Sequence, residues 1–182
     1  MPNKFYKNFV LKDGRKVVLR ELKNSDADTS VTETNKVISE GPFLYLNKKV
    51  TKKEEVEWIK SLLKNIKKKS AVNLAAFEGK RILGTVSLRF GKGRNSHVAT
   101  MGIWIVKEYR SSGLAKLLFW ETVKYAKKMV PQLKMINAGA FATNKRSLKF
   151  QKKLGFKKVG ILKKDGRIGN RYVDTISMQL EL

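Results

Sequence analysis

The chain has 182 residues, 42% of them hydrophobic, with 40 Lys and Arg against 15 Asp and Glu, one His and no Cys. These values point to a single domain over 1–182 with one sizeable core. They exclude a disordered chain, disulfides, thiolate zinc sites and cysteine nucleophiles, and they leave no basis for a histidine-built metal centre. The net charge of +25 attracts polyanions and repels polycations, and no run of about eighteen apolar residues is present to span a membrane.

Residues 1–10 carry Lys4 and Lys7 among aromatics without an apolar signal core, so a cytoplasmic protein is expected. After a turn at Asp13-Gly14, residues 17–21 read as a first strand. Ser25 is placed to cap a helix running to about Ile38, with Asp26 and Asp28 in its positive first turn. Residues 40–44, from Glu40 through Gly41, Pro42 and Phe43 to Leu44, break that helix. Thr51 and Glu54 form a capping box, and Val56, Ile59, Leu62, Leu63 and Ile66 follow as an apolar stripe. Lys67, Lys68 and Lys69 sit at the negative end of this second helix.

Residues 71–77 and 81–90 read as a hairpin around Glu78-Gly79-Lys80, residues 91–96 as a flexible loop, and 97–106 as the next strand. A helix follows the turn after that strand and ends before Pro131. Residues 133–143 are a further strand. Asn144 caps a helix over 145–154, which Gly155 closes. Residues 156–162 and 171–180 finish the chain as a hairpin around 166–170. There is no internal repeat and no linker, and the basic residues are dispersed. Trp58, Trp104, Trp120, Met129 and Met135 read as core by their spacing.

The stretch 101–129 organises the rest. Met101, Ile103 and Ile105 alternate with Gly102, Trp104 and Val106, and then Arg110-Ser111-Ser112-Gly113-Leu114-Ala115 leads into a helix marked by Leu114, Leu118, Tyr125 and Met129. The first amides of a helix have no intrahelical partner, and the dipole adds partial positive charge there. Gly113 allows close backbone approach and Ala115 is small, so the turn suits an anion, above all a pyrophosphate.

At these residues the chain resembles the GNAT superfamily of acetyl-CoA-dependent N-acetyltransferases. Its signature is Gln or Arg, two residues, Gly, one residue, then Gly or Ala, matched by Arg110, Gly113 and Ala115. A second block, from Asn144 to Leu154-Gly155-Phe156, is similar to the family's second helix motif. The resemblance implies an α/β fold, a mixed α+β single domain with a central, mostly antiparallel, splayed sheet flanked by helices. It also implies acetyl-CoA as cosubstrate and no metal. The pantetheine arm would lie along the strand ending Trp104-Ile105-Val106. Ile105 and Val106 would offer backbone groups to it, and one of their amides would face the thioester oxygen. Amides of Ser111, Ser112, Gly113, Leu114 and Ala115 would hold the pyrophosphate, with Asn144 and Ser147 lining the thioester side.

An amine nucleophile must lose a proton, and a base or water relay is expected, since a lysine amine has a pKa of about 10.4 and an α-amine about 8. Many relatives carry Glu where Thr100 stands, and Tyr where Gln151 stands. The Tyr-less form is similar to ribosomal-protein N-terminal and related protein acetyltransferases. Glu40, His97 and Asp174 are the candidate bases, with positioning plus water as a further option. The expected acceptor is a protein or peptide amine, an N-terminal α-amine or a lysine. The charge admits a ribosome or nucleic acid nearby and argues against cationic acceptors. The alternatives are a small-molecule amine acetyltransferase and a non-catalytic module that binds CoA or nucleic acid. Monomer and homodimer are both open.

Overall fold

Apolar residues at every second position bury one face only when the chain is extended, and apolar residues at helical spacing bury one face only when it is coiled. In the computed structural model these patterns become β1 (Tyr6–Val10), β2 (Lys16–Arg20), α1 (Ala27–Ser39), α2 (Lys52–Lys67), β3 (Ala71–Glu78), β4 (Arg81–Phe90), β5 (Val98–Ile105), α3 (Leu114–Met129), β6 (Met135–Phe141), α4 (Lys145–Lys153), β7 (Lys157–Ile168) and β8 (Arg171–Glu181). The structure describes residues 5–42, 44–46 and 48–182; Lys4 and Phe43 of the sequence reading lie outside these.

The strands form one sheet in the order β1-β2-β3-β4-β5-β6-β8-β7. Every pair is antiparallel except β5 with β6, which run parallel. Helices α1 and α2 cover one face through Leu22, Ile59, Leu62, Ala71, Ala75, Phe77 and Ile82. Helices α3 and α4 cover the other, where Leu118, Phe119, Ala126 and Leu154 pack on Ala99, Met101, Ile136, Met178 and Leu180. Burying each large side chain there contributes about 1.5–3 kcal/mol. The expected α/β class and splayed mixed sheet are what the chain adopts.

Local signals set several ends. Thr51 Oγ1 accepts from the Glu54 amide at 3.2 Å while Glu54 Oε2 accepts from the Thr51 amide at 2.7 Å, closing the predicted capping box. Other expectations change. Ser25 does not cap α1: Asn24–Asp26 is a 3₁₀ turn, and the Asp26 carboxylate accepts from the Lys23 amide at 2.7 Å and from both terminal nitrogens of Arg20 at 2.7 and 2.8 Å. Strand β1 has no counterpart in the sequence reading, and β7 runs to Ile168 instead of stopping at 162. Trp58 and Trp120 are not core, being 41% and 39% exposed.

Candidate active site

Strands β5 and β6 pair only over Val98–Thr100 and Met135–Asn137, and then diverge. The narrow end is closed by the His97 carbonyl, which accepts from the Lys134 and Met135 amides at 2.9 and 3.0 Å. The wedge beyond it exposes one backbone edge of β5, and its register with β4 decides which groups point there. The Val106 amide donates to Leu83 O at 2.9 Å and the Gly91 amide to Val98 O at 2.9 Å. Hydrogen-bonded and open pairs alternate in an antiparallel ladder, so Trp104 turns its backbone groups toward β4, while Met101, Ile103 and Ile105 turn theirs into the wedge. Of the two residues expected to offer backbone groups, Ile105 does and Val106 does not. Ile103 also turns its backbone groups into the wedge. The Ile105 carbonyl already accepts from Arg110 Nε at 3.0 Å, leaving its amide.

Past β5 the chain makes a 3₁₀ turn, Lys107–Tyr109, and then reverses direction. Ser111 sits at φ 70° and Gly113 at φ 89°, the left-handed region. The space where a Gly113 Cβ would stand holds no atom within 4 Å, so the backbone conformation, not crowding, requires glycine there. Ser112 Oγ donates to Tyr109 O at 2.7 Å and accepts from the Leu114 amide at 3.3 Å. The amides of Ser111, Ser112, Gly113, Ala115 and Lys116 have no hydrogen-bond partner among the described residues, and the first α-helical bond is Leu117 N to Gly113 O at 3.0 Å. Five unpartnered amides thus lie at the positive end of a 16-residue helix, an arrangement that fits a diphosphate. One of the expected donors is occupied, the Leu114 amide by Ser112, and just before them the Arg110 amide donates to Lys107 O at 3.2 Å.

The model of the Acetyltransferase (GNAT) domain matches residues 19–177. The chain belongs to this family. It is by class an acetyl-CoA-dependent N-acetyltransferase, as the two sequence blocks implied. No curated protein sequence matches the chain. Among solved structures it is similar to the ribosomal-protein-S5-alanine acetyltransferase of Vibrio fischeri, at 22% identity over 96% of each chain with a TM-score of 0.81. It is also similar to a GNAT-family acetyltransferase of Streptococcus pneumoniae, at 22% identity over 91% of this chain and 99% of that one, TM-score 0.78. A third is the phosphinothricin acetyltransferase of Sinorhizobium meliloti in complex with AcCoA, at 19% identity over 91% and 88%, TM-score 0.76. At these identities the likeness establishes the fold.

The GNAT fold of this chain does not bring the three candidate bases together. Glu40, at the C-terminal end of α1, receives Arg110 Nη1, so it braces the signature turn. Beside this pair a cleft of about 880 Å³ opens between α1 and the turn, bordered by Asn35, Lys36, Glu40, Lys49, Lys107 and Glu108. His97 is exposed, just before β5 at the closed end of the wedge. Asp174 is in phase with Ile176, Met178 and Leu180, which pack on the α3/α4 side, and so points away from the α1/α2 face. Its carboxylate takes the Lys164 amide at 3.0 Å and Lys163 Nζ at 2.9 Å, and these hold it below the usual carboxylate range.

Asn144 caps α4, with its Oδ1 accepting from the Ser147 amide at 3.1 Å, and Ser147 Oγ accepts from Gln151 Nε2 at 3.1 Å. Gln151 is 1% exposed, and its Oε1 has no partner among the described residues. On the α1/α2 face, Ser87, Arg89, Thr100 and Gly102 form an uncovered floor beside the wedge, with Thr100 flanked by Arg89 and Asn137. Next to Ser87 on that face stands Asn73, 1% exposed, with neither amide atom partnered among the described residues. The sequence reading passes over Asn73, although a lone Asn inside the apolar run 71–77 marks it.

A second network, also missed, steadies the turn. Arg81 Nη2 donates to Glu33 Oε2 at 3.0 Å and Glu108 Oε1 at 2.9 Å, tying α1 and β4 to the 3₁₀ turn. Burial pushes the Glu33 carboxyl up, but hydrogen bonds from Arg81 and Lys36 outweigh it and hold it below the ordinary value. These pairs lie tens of residues apart in the chain and leave no local pattern. Among the described residues no cluster of three His, Cys, Asp or Glu is placed to hold a metal, and no helix is long and apolar enough to cross a membrane.

Proposed function

We propose that this enzyme moves the acetyl group of acetyl-CoA to a protein or peptide amine by direct attack in a ternary complex. The observation that carries the proposal is the set of unpartnered amides of Ser111, Ser112, Gly113, Ala115 and Lys116 at the head of α3, opening beside the β5/β6 wedge. The diphosphate lies on those amides, and the pantetheine arm pairs with the free backbone groups of Ile103 and Ile105 in the manner of an added strand. An amide on that edge faces the oxygen that gains charge as the amine nitrogen bonds the carbonyl carbon. The carbon–sulfur bond then breaks, and the electron pair leaves on sulfur. Gln151, in the α4 position where relatives have Tyr, offers a hydrogen bond through its amide but no proton.

No carboxylate stands among Ser87, Arg89, Thr100 and Gly102, and on the same sheet face Glu181 lies beside Met135 at the closed end. An α-amine, with a pKa of about 8, already carries free base at neutral pH and gives its proton to water. This favours an N-terminal α-amine over a lysine. The likeness to a protein named as a ribosomal-protein-S5-alanine acetyltransferase supports a protein acceptor, which goes with a cytoplasmic setting. A small-molecule acceptor is the second reading, favoured by the likeness to a phosphinothricin acetyltransferase. The test is release of free CoA thiol with a pool of short peptides bearing free N-termini, beside free amino acids and phosphinothricin. Turnover of peptides alone is expected; turnover of the small molecules alone would replace the first reading with the second.

A further inference from the structure

The bases are spread along the whole chain, but the acids are not. Between Glu121 and Asp165 there is no acidic residue, and residues 122–164 contain thirteen bases: Arg146 and twelve lysines. The fold gathers the helical part of this stretch on one face. Helices α3 and α4 pack on the same side of the sheet, with Phe119 and Phe156 in ring contact at 5.9 Å. Their apolar sides point inward, so Lys124, Lys127 and Lys128 of α3 and Lys149, Lys152 and Lys153 of α4 project outward, all exposed. The edge strand β7 continues the face with Lys158, which stands opposite the core residue Met178. Of the thirteen, Lys163 alone makes an ion pair among the described residues. On the α1/α2 side the acids are used differently: Asp28 pairs with Lys52, Glu33 with Lys36, and Glu54 with Lys48.

We infer that the α3/α4 face is a docking surface for the phosphate backbone of a nucleic acid, separate from the acceptor side of the enzyme. An array of unneutralised like charges repels itself, and a polyanion that displaces its own counterions relieves that repulsion. The composition selects among polyanions. Protein–protein contacts draw their energy from buried Trp, Tyr and Arg and are poor in Lys, whereas a field of lysines suits phosphates, which need charge and reach but no shaped pocket. The surface therefore positions the enzyme on a polyphosphate chain without reading its sequence, independently of which amine is acetylated.

The test compares two variants with the same loss of charge. One replaces Lys124, Lys128, Lys149 and Lys153 by Gln on the proposed face. The other replaces Lys53, Lys60, Lys64 and Lys68 by Gln on and after α2. Binding of fluorescent RNA and DNA duplexes of about 20 base pairs is measured by anisotropy across a salt series near 0.15 M. Saturating CoA is present, so that the amides at the head of α3 are not what is titrated. The first variant is expected to bind both duplexes about 10-fold or more weakly, with a salt slope shallower by up to about 0.9 for each phosphate no longer neutralised. The second should stay within about 3-fold of the parent, as dispersed charges act only through the net field. Equal weakening in the two variants, or no weakening in the first, would overturn the assignment, because binding would then follow total charge and not this face. Matching melting temperatures of both variants and the parent show that folding is not the cause.

Discussion

Replacing Gly113 by Ala separates backbone strain from ligand space at the head of α3. Gly113 has φ 89°, and its missing Cβ faces open space. An L-residue held there costs about 1–2 kcal/mol, which in a domain of this size lowers the melting temperature by roughly 2–8 °C. Gly14, in the β1–β2 turn, has φ 83° and equally open surroundings, so Gly14→Ala carries the same strain away from the site. The two variants should therefore melt alike without ligand and differ with it. At a CoA concentration about 100 times its Kd, the parent and Gly14→Ala gain about 2.7 kcal/mol of stability. If the methyl of Gly113→Ala displaces the diphosphate and weakens binding about 100-fold, the same CoA concentration gives only about 0.4 kcal/mol. In a thermal melt with and without CoA, the ligand-induced rise should fall from about 5–11 °C to about 1–2 °C. An undiminished rise in Gly113→Ala would refute the placement of the diphosphate on these amides.

Other perturbations probe single groups. Burial pushes the Glu55 carboxyl up, and the hydrogen bond from Ser30 Oγ at 2.5 Å only partly offsets this. A raised native pKa means stability that is full below the unfolded value of 4.5 and lost as pH rises through the native one. Glu55→Gln should thus be more stable than the parent in urea titrations near neutral pH, with the gain vanishing below about pH 4.5; a gain that persists in acid would mean packing is responsible. Glu40→Gln removes the carboxylate that receives Arg110, so the KM for acetyl-CoA should rise while kcat stays within about 5-fold, as expected of a part-buried ion pair that steadies the turn without touching the reacting atoms. A fall of about 100-fold in kcat would restore Glu40 as the general base. Gln151→Leu removes a buried amide that cannot exchange a proton, so kcat should drop about 10-fold or less with an unaltered pH profile; a displaced pH profile would reveal proton traffic through this position.

What could be read from the sequence was what local chemistry encodes. The signature from Arg110 to Ala115, the Thr51–Glu54 box and the Asn144 cap each span a few residues, and the structure places each at the head of a helix. Strand β1 escaped because it is an edge strand: four of its five residues are exposed, so no apolar alternation marks it. The phase of β5 escaped for another reason. Whether Val106 or Ile103 faces the wedge depends on which residue of β4 stands opposite, and pairing register is a property of two strands, not one. Glu40 and Asp174 looked available as bases because their partners are remote or out of phase. Arg110 is 70 residues from Glu40, and the direction of Asp174 follows from the packing of Ile176 and Met178.

The missing carboxylate at Thr100 leaves the question of how the acceptor loses its proton, and Arg89 supplies a physical answer. Arg89 stands directly opposite Thr100, is exposed, and makes no ion pair among the described residues. Taking about 7 Å between that guanidinium and an ammonium bound over Thr100 puts the two charges inside one Debye length. Two like charges at that distance repel by about 0.6 kcal/mol in water and about 2.4 kcal/mol at an effective dielectric of 20. The repulsion acts on the protonated amine alone, so it lowers the amine pKa by about 0.4 to 1.7 and raises the free-base fraction of an α-amine at neutral pH. In place of a base that pulls the proton, the floor carries a cation that disfavours it. Arg89→Gln should accordingly move the acidic limb of the kcat profile for a peptide acceptor to higher pH by a similar amount. Activity near pH 7 should fall while the plateau at high pH is kept. A variant whose plateau falls and whose limb stays in place would show that Arg89 orients the acceptor instead, and the proton would then need another route out of the site.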